Sequence, residues 1–166
     1  MCEYQIDQAD ILIDLASQKL YLPKLKKQYL ISSGVNGIGE AENSGKTPRG
    51  FHTIAEKFGA DEPLNSVFIA RVPTGEIYNA SLADEFPQRD WILSRILRLS
   101  GLEVGFNLGE GCDSYNRYIY IHGTPDCEAM GEPRSHGCIR MRNNDVVELF
   151  NLIPEGALVY ISEHQI

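Results

Sequence analysis

A chain of 166 residues with 43% hydrophobic and 23% charged residues has the length and composition of one globular domain with material for a core. Its formal charge of -8 and pI near 5.0 exclude the basic surface that a nucleic-acid partner requires, and it has no apolar run of membrane-spanning length. No repeat, low-complexity tract or linker divides it, so residues 1–166 are expected to form a single domain with its core at about 10–162.

The first ten residues carry acids and no Lys or Arg, and Ile11-Leu12-Ile13 is followed at once by Asp14. This is neither a charged n-region nor an apolar h-region, so no secretory signal is read and a cytoplasmic protein is expected, with the periplasm as the alternative should a leader have been removed. Residues 9–15 alternate weakly and residues 18–22 follow after a polar turn, which predicts a hairpin. Residues 28–33 predict a third strand, 35–46 a loop, and Thr47-Pro48-Arg49-Gly50 a turn. Strands are expected at 51–57 and 66–72, with a short one at 76–80. From about 88 to 100, Ile92, Ile96 and Leu99 recur at helical spacing with Gly101 as a stop, so a helix is expected there. Residues 118–122, Tyr-Ile-Tyr-Ile-His, predict a strand ending at His122-Gly123. A second helix is expected over 144–152, capped by Asn143 or Asn144 and closed by Pro154-Glu155-Gly156, and a last buried strand over 157–162. The sum is a mainly β domain with two or more helices, of the α+β class.

Four cysteines, Cys2, Cys112, Cys127 and Cys138, form no C-x-x-C pair and no dense disulfide pattern. The first three read as small packed or surface residues in a reducing compartment. Cys138 differs by its flanks. It lies in Ser135-His136-Gly137-Cys138, where Gly137 removes bulk beside the sulfur and permits unusual backbone angles. A thiol becomes a nucleophile when a base or cation helps it lose its proton. His122, at the end of a strand, is the candidate base, and a carbonyl such as that of Gly123 can hold its second nitrogen. His136 and Ser135 have no role fixed by spacing. Zinc competes for Cys112, His122, Cys127, His136 and Cys138, but their spacings fit no usual ligand pattern, so neither metal nor other cofactor is expected. The order His-before-Cys also differs from papain-like enzymes, and the caspase signature is absent.

Taken together, His122-Gly123-Thr124, then Ser135-His136-Gly137-Cys138-Ile139-Arg140-Met141, then Asn143-Asn144-Asp145-Val146, resemble the catalytic signature of L,D-transpeptidase (YkuD-like) domains. Residues 13–21, Ser32-Ser33-Gly34 and Thr47-Pro48-Arg49-Gly50-Phe51 are similar to other parts of that family, so the likeness covers most of 10–162 and is weakest across 58–115. The resemblance implies a β-sandwich catalytic domain acting on peptidoglycan stem peptides or muropeptides. Cys138 matches the nucleophile, His122 the base, and Gly123 the carbonyl that orients it. Backbone N–H groups around Gly137 and Cys138 would form the oxyanion hole, with Tyr118 or Tyr120 as an assisting side chain. His136, Ser135 and Arg140 match pocket positions. Arg140 departs from the Asn that many members carry, and a guanidinium suits a stem-peptide carboxylate; Arg49, Arg134 and Arg142 are expected at the surface. With no leader read, the favoured expectation is an L,D-carboxypeptidase that trims D-alanine from recycled muropeptides and reacts with carbapenems. Cross-linking by an L,D-transpeptidase is the alternative, and an inactive wall-peptide binder the second.

Overall fold

The structure, a computed structural model, describes residues 3–166, so Cys2, expected as a packed or surface residue, lies outside the described part. The first hairpin forms where alternation predicts it. Strand β1 (Ile11–Asp14) buries Ile11 and Ile13, and β2 (Lys19–Leu22) buries Leu20 and Leu22, while Leu12, Lys19 and Tyr21 stay partly exposed. Strand β3 (Lys27–Leu30) pairs antiparallel with β2.

Seven more strands follow: β4 (Gly50–Phe58), β5 (Ser66–Ile69), β6 (Val72–Ile77), β7 (Ile92–Gly101), β8 (Tyr120–Thr124), β9 (Ile139–Arg142) and β10 (Leu158–Ser162). They make one 10-stranded sheet in the order β3-β2-β1-β10-β4-β7-β5-β6, with β8 attached to β7 and β9 to β8. The sheet curls until distant parts meet: Ser32, just past β3, and Arg140 on β9 exchange two backbone hydrogen bonds of 2.9 Å each. The result is the expected mainly β, sandwich-like domain. One continuous apolar core runs from Ile11 to Ile161 and includes Leu97, Leu99, Ile121, Ile139, Met141 and the inner face of a helix, α2 (Asn143–Leu152), through Val146, Leu149 and Phe150.

Residues 88–100 do not form the expected helix; most of the stretch is β7, the strand that pairs with β4, β5 and β8. Two features conceal it in the sequence. Ser94 has left-handed backbone (φ 69°) at a register shift between Leu93 and Ile96, so a bulge breaks the period of two. The strand is also buried on both faces: Leu97 and Leu99 enter the main core, while Ile96 joins a smaller cluster with Phe68 and Tyr120. Arg95 and Arg98 are buried as well, their guanidinium groups bonding the carbonyls of Glu62, Ser94 and Tyr115 and leaving each Nε unpartnered. The spacing of Ile92, Ile96 and Leu99 therefore imitated a helix face.

The stretch expected as a short strand at 76–80 divides between the end of β6 and a short helix, α1 (Ala80–Glu85), which Asn79 caps by accepting from Leu82 N at 2.9 Å. The helix expected at 144–152 is α2, but neither Asn143 nor Asn144 caps it. Arg142 holds the cap position, and Asn143 turns inward to bond the Thr124 carbonyl at 2.8 Å and the Ser94 hydroxyl at 2.7 Å. Beside the start of β7, the strands β5 and β6, helix α1 and the following segment form a small lobe around Val67, Trp91, Leu93, Tyr78 and Leu82.

Candidate active site

The strands β8 and β9 run parallel in the register Ile121–Ile139, His122–Arg140, Gly123–Met141. A parallel pair cannot be closed by a tight turn, so the chain must leave β8 and return. Residues 125–138 make that excursion and deliver Cys138 back beside the strand it left. Side chains alternate across a strand, and Ile121, Ile139 and Met141 point into the core. Tyr120, His122, Cys138 and Arg140 consequently share the opposite face. Cys138 packs there against the Phe68–Ile96–Tyr120 cluster, and Ile96 is the register partner of His122 on β7. His122 is the register partner of Arg140, so it lies one diagonal step from Cys138 across the pair.

His122 is buried, and its Nδ1 lies 2.7 Å from the Gly123 carbonyl. A carbonyl only accepts, so Nδ1 carries the proton and Nε2 is the free acceptor. Burial holds the imidazole below the ordinary histidine range, and the Gly123 bond and the charge of Asp90 oppose that only in part. Gly123 has a second reason to be glycine: a Cβ there would stand 2.5 Å from both Asn143 Oδ1 and the Leu93 carbonyl.

The sulfur of Cys138 is held by backbone. It donates to the Tyr118 carbonyl at 3.3 Å and accepts from Tyr120 N–H at 3.4 Å. Burial pushes the thiol up to about 11, while the Tyr120 N–H and the charges of Arg140 and Arg117 pull the other way. The resting pair is thus a neutral thiol and a neutral imidazole. Such a pair works by proton transfer during attack rather than from a preformed thiolate.

The loop before Cys138 is built around Gly137, whose backbone is left-handed (φ 121°) and whose absent Cβ would stand 3.1 Å from the Lys46 carbonyl. Thr47 fixes this approach. Its Oγ1 accepts from Gly34 N–H at 2.8 Å and donates to the Gly137 carbonyl at 2.9 Å. Ser135 was expected in the substrate pocket, but it is buried and its hydroxyl is engaged by the loop itself. It accepts from Gly137 N–H at 3.1 Å and donates to the Cys138 carbonyl. The Gly137 N–H, expected as an oxyanion donor, is therefore already bonded.

Arg140 also departs from expectation. It is buried, bonds Asp90 at 3.0 Å, and has its Nε unpartnered. Its charge is matched by a protein carboxylate rather than left open for a substrate's. His136, with a side chain 75% exposed, lies 3.5 Å from the same Asp90. These three residues line a cavity of about 170 Å³ with Trp91, Thr124 and Pro125. A larger hollow of about 460 Å³, bounded by Leu12, Tyr21, Pro23 and Ile166 among others, contains none of the reactive groups.

Asp90 carries no sequence signal of its own and Thr47 only that of a turn in the family likeness; both matter through partners far along the chain. Arg49, expected at the surface, is partly exposed and bridges Glu40 and Glu163, each at 2.8 Å; Arg134 pairs with Glu132 at 2.7 Å. The fourth candidate, Arg142, is exposed at the start of α2. His52 is buried between the Gly50 carbonyl and the Ser114 hydroxyl, a structural role. Cys112, Cys127 and Cys138 are unpaired thiols, and among the described residues no three His, Cys, Asp or Glu side chains converge as a metal site.

Residues 8–161 match the L,D-transpeptidase catalytic domain, YkuD. The Bacillus subtilis (strain 168) protein YqjB is 45% identical over 60 residues, which is 36% of this chain and 32% of that protein. Among solved structures, an L,D-transpeptidase from Mycobacterium smegmatis superposes with a TM-score of 0.52 at 18% identity, covering 93% of this chain and 59% of that one. L,D-transpeptidase 3 from Mycobacterium tuberculosis, solved with a faropenem-derived adduct, gives 0.54 at 16% identity, covering 92% and 59%. The chain thus spans about a third of that curated relative and some three-fifths of those solved chains.

Proposed function

The chain belongs to the L,D-transpeptidase catalytic domain family, and on that premise we propose that it cleaves the terminal D-alanine from peptidoglycan tetrapeptide stems through a thioester on Cys138. The observation that carries this reading is the buried His122 ring, locked by the Gly123 carbonyl at 2.7 Å, on the same sheet face as the Cys138 sulfur. In the first half-reaction, sulfur attacks the carbonyl on the L-centre of the diamino acid as His122 Nε2 takes the thiol proton. The tetrahedral oxyanion collapses, the C–N bond breaks, and the departing D-alanine amine receives that proton. With the Gly137 N–H already bonded to Ser135, the Cys138 N–H is the donor assigned to the oxyanion. One such donor contributes about 3–4 kcal/mol to barrier lowering in other enzymes.

Water is the favoured acceptor. His122 removes its proton, hydroxide adds to the thioester, and the thiol and tripeptide are released. The proposed substrates are soluble muropeptides, and the proposed place of action is the cytoplasm. The family to which the chain belongs keeps the competing outcome in view, an amine acceptor giving a 3-3 cross-link or a wall-attached protein.

Incubation with a free tetrapeptide, with and without an amine acceptor, tests the proposal. Tripeptide and D-alanine are expected in both cases, and neither with Cys138→Ala. Dimer formation without hydrolysis would favour cross-linking. A carbapenem is expected to leave a mass adduct on Cys138 that the Cys138→Ala protein lacks.

A further inference from the structure

Arg71 stands in the tight connection between β5 and β6, directly after Ala70, whose backbone is left-handed (φ 54°). Its guanidinium donates to Tyr120 Oη at 3.0 Å and lies 5.3 Å over the ring of Tyr118. These are the two tyrosines whose backbone holds the Cys138 sulfur. Arg71 is therefore one side chain away from the nucleophile, on the face that carries His122.

Of the other cations around this face, two are paired with carboxylates and the third, Arg117, is held by three neutral acceptors. Arg140 is paired with Asp90 at 3.0 Å, Arg98 lies 3.6 Å from Glu56 and bonds the Tyr115 carbonyl at 2.8 Å, and Arg117 bonds the Lys46 carbonyl at 2.6 Å. Arg71 has no carboxylate within 4.0 Å among the described residues, and its hydrogen-bonding partner is a neutral phenol. A planar guanidinium with donors to spare is the side chain best suited to a carboxylate.

We propose that Arg71 binds the terminal carboxylate of the leaving D-amino acid and so makes the site select stems that end in a free acid. The inference rests on the Cys138–His122 reading above. Its geometry is consistent with that chemistry. A scissile carbonyl approaches an attacking atom to about 3–3.5 Å, and the carboxylate carbon lies three bonds beyond, about 3–4 Å further. The path from sulfur to guanidinium runs 3.4 Å to the Tyr120 N–H, along that tyrosine, and 3.0 Å on from its Oη, which leaves room for the carboxylate between the two. The role sequence reading gave to Arg140 thus passes to a residue on the lobe.

The test compares kcat/KM for a tetrapeptide stem with that for its C-terminal amide, in the wild type, Arg71→Ala and Arg71→Lys. The wild type is expected to prefer the acid by about 10–100-fold, the range for charge-assisted hydrogen bonds. In Arg71→Ala the preference collapses towards unity with the loss mainly in KM, and Arg71→Lys keeps part of it. Arg71→Gln, which keeps a polar side chain without the charge, carries the same expectation as Ala if the smaller residue impairs folding. Equal use of acid and amide by the wild type, or an undiminished preference in Arg71→Ala, overturns the inference while D-alanine release still stands. No release from either substrate by the wild type overturns the acyl-transfer reading and this inference with it.

Discussion

The proton on Cys138 gives the sharpest test of the mechanism. Burial lifts the thiol to about 11 and lowers His122, so the sulfur donates to the Tyr118 carbonyl at 3.3 Å as a neutral thiol. On that value the thiolate fraction is about 1 in 10⁴ at pH 7 and about 1 in 100 at pH 9. Alkylation of Cys138 by iodoacetamide, followed by mass spectrometry of its own peptide so that Cys112 and Cys127 do not interfere, should accelerate about tenfold per pH unit from pH 7 to 10 with no plateau. His122→Gln should leave this profile in place, because a neutral imidazole is not the source of thiolate. The same variant should slow D-alanine release by about 10²–10⁴-fold, the usual contribution of a positioned base. A plateau setting in near pH 6–7 in the wild type, and vanishing in His122→Gln, would reveal a resting thiolate–imidazolium pair and refute the neutral-pair argument.

Three further outcomes are expected. Gly123→Ala puts a methyl 2.5 Å from Asn143 Oδ1 and the Leu93 carbonyl; the overpacking should cost about 1–3 kcal/mol in urea unfolding, and displacement of the Gly123 carbonyl should reduce D-alanine release by more than the unfolded fraction explains. Thr47→Val keeps the shape but leaves Gly34 N–H without its acceptor and the Gly137 carbonyl without its donor; a loss of about 1–3 kcal/mol is expected, with faster amide exchange in residues 135–138. Acid should weaken the fold through His52, which burial pushes down to about 4. The unfolded chain binds that proton below about pH 6.5 and the folded chain only near 4, so stability should fall between those values by up to about 3 kcal/mol. His122, lowered by the same cause, acts in the same direction. Urea midpoints at pH 7, 5.5 and 4.5 check the sign; constant midpoints would contradict it.

What the sequence determined by itself was whatever depends on residue type and short spacing. The β1–β2 hairpin, the position of α2 and the strand that carries His122 were all legible there. The gap between His122 and Cys138 was legible as a pattern, and its cause is the parallel pairing of β8 with β9, which obliges the chain to travel out and back. Tertiary structure decided the rest, because long-range partners override local preference. Residues 92–101 carry helical spacing and form a strand, since β4, β5 and β8 bury both faces and a bulge at Ser94 shifts the phase. Arg140 is the residue type that binds carboxylates, yet its carboxylate is Asp90, 50 residues away in sequence. Thr47 grips Gly137 across 90 residues, and Arg71 reaches Tyr120 across 49. A sequence fixes which groups a side chain can satisfy; only the curled sheet brings one of them within hydrogen-bond distance, and that choice is what separates a structural arginine from one free to meet a substrate.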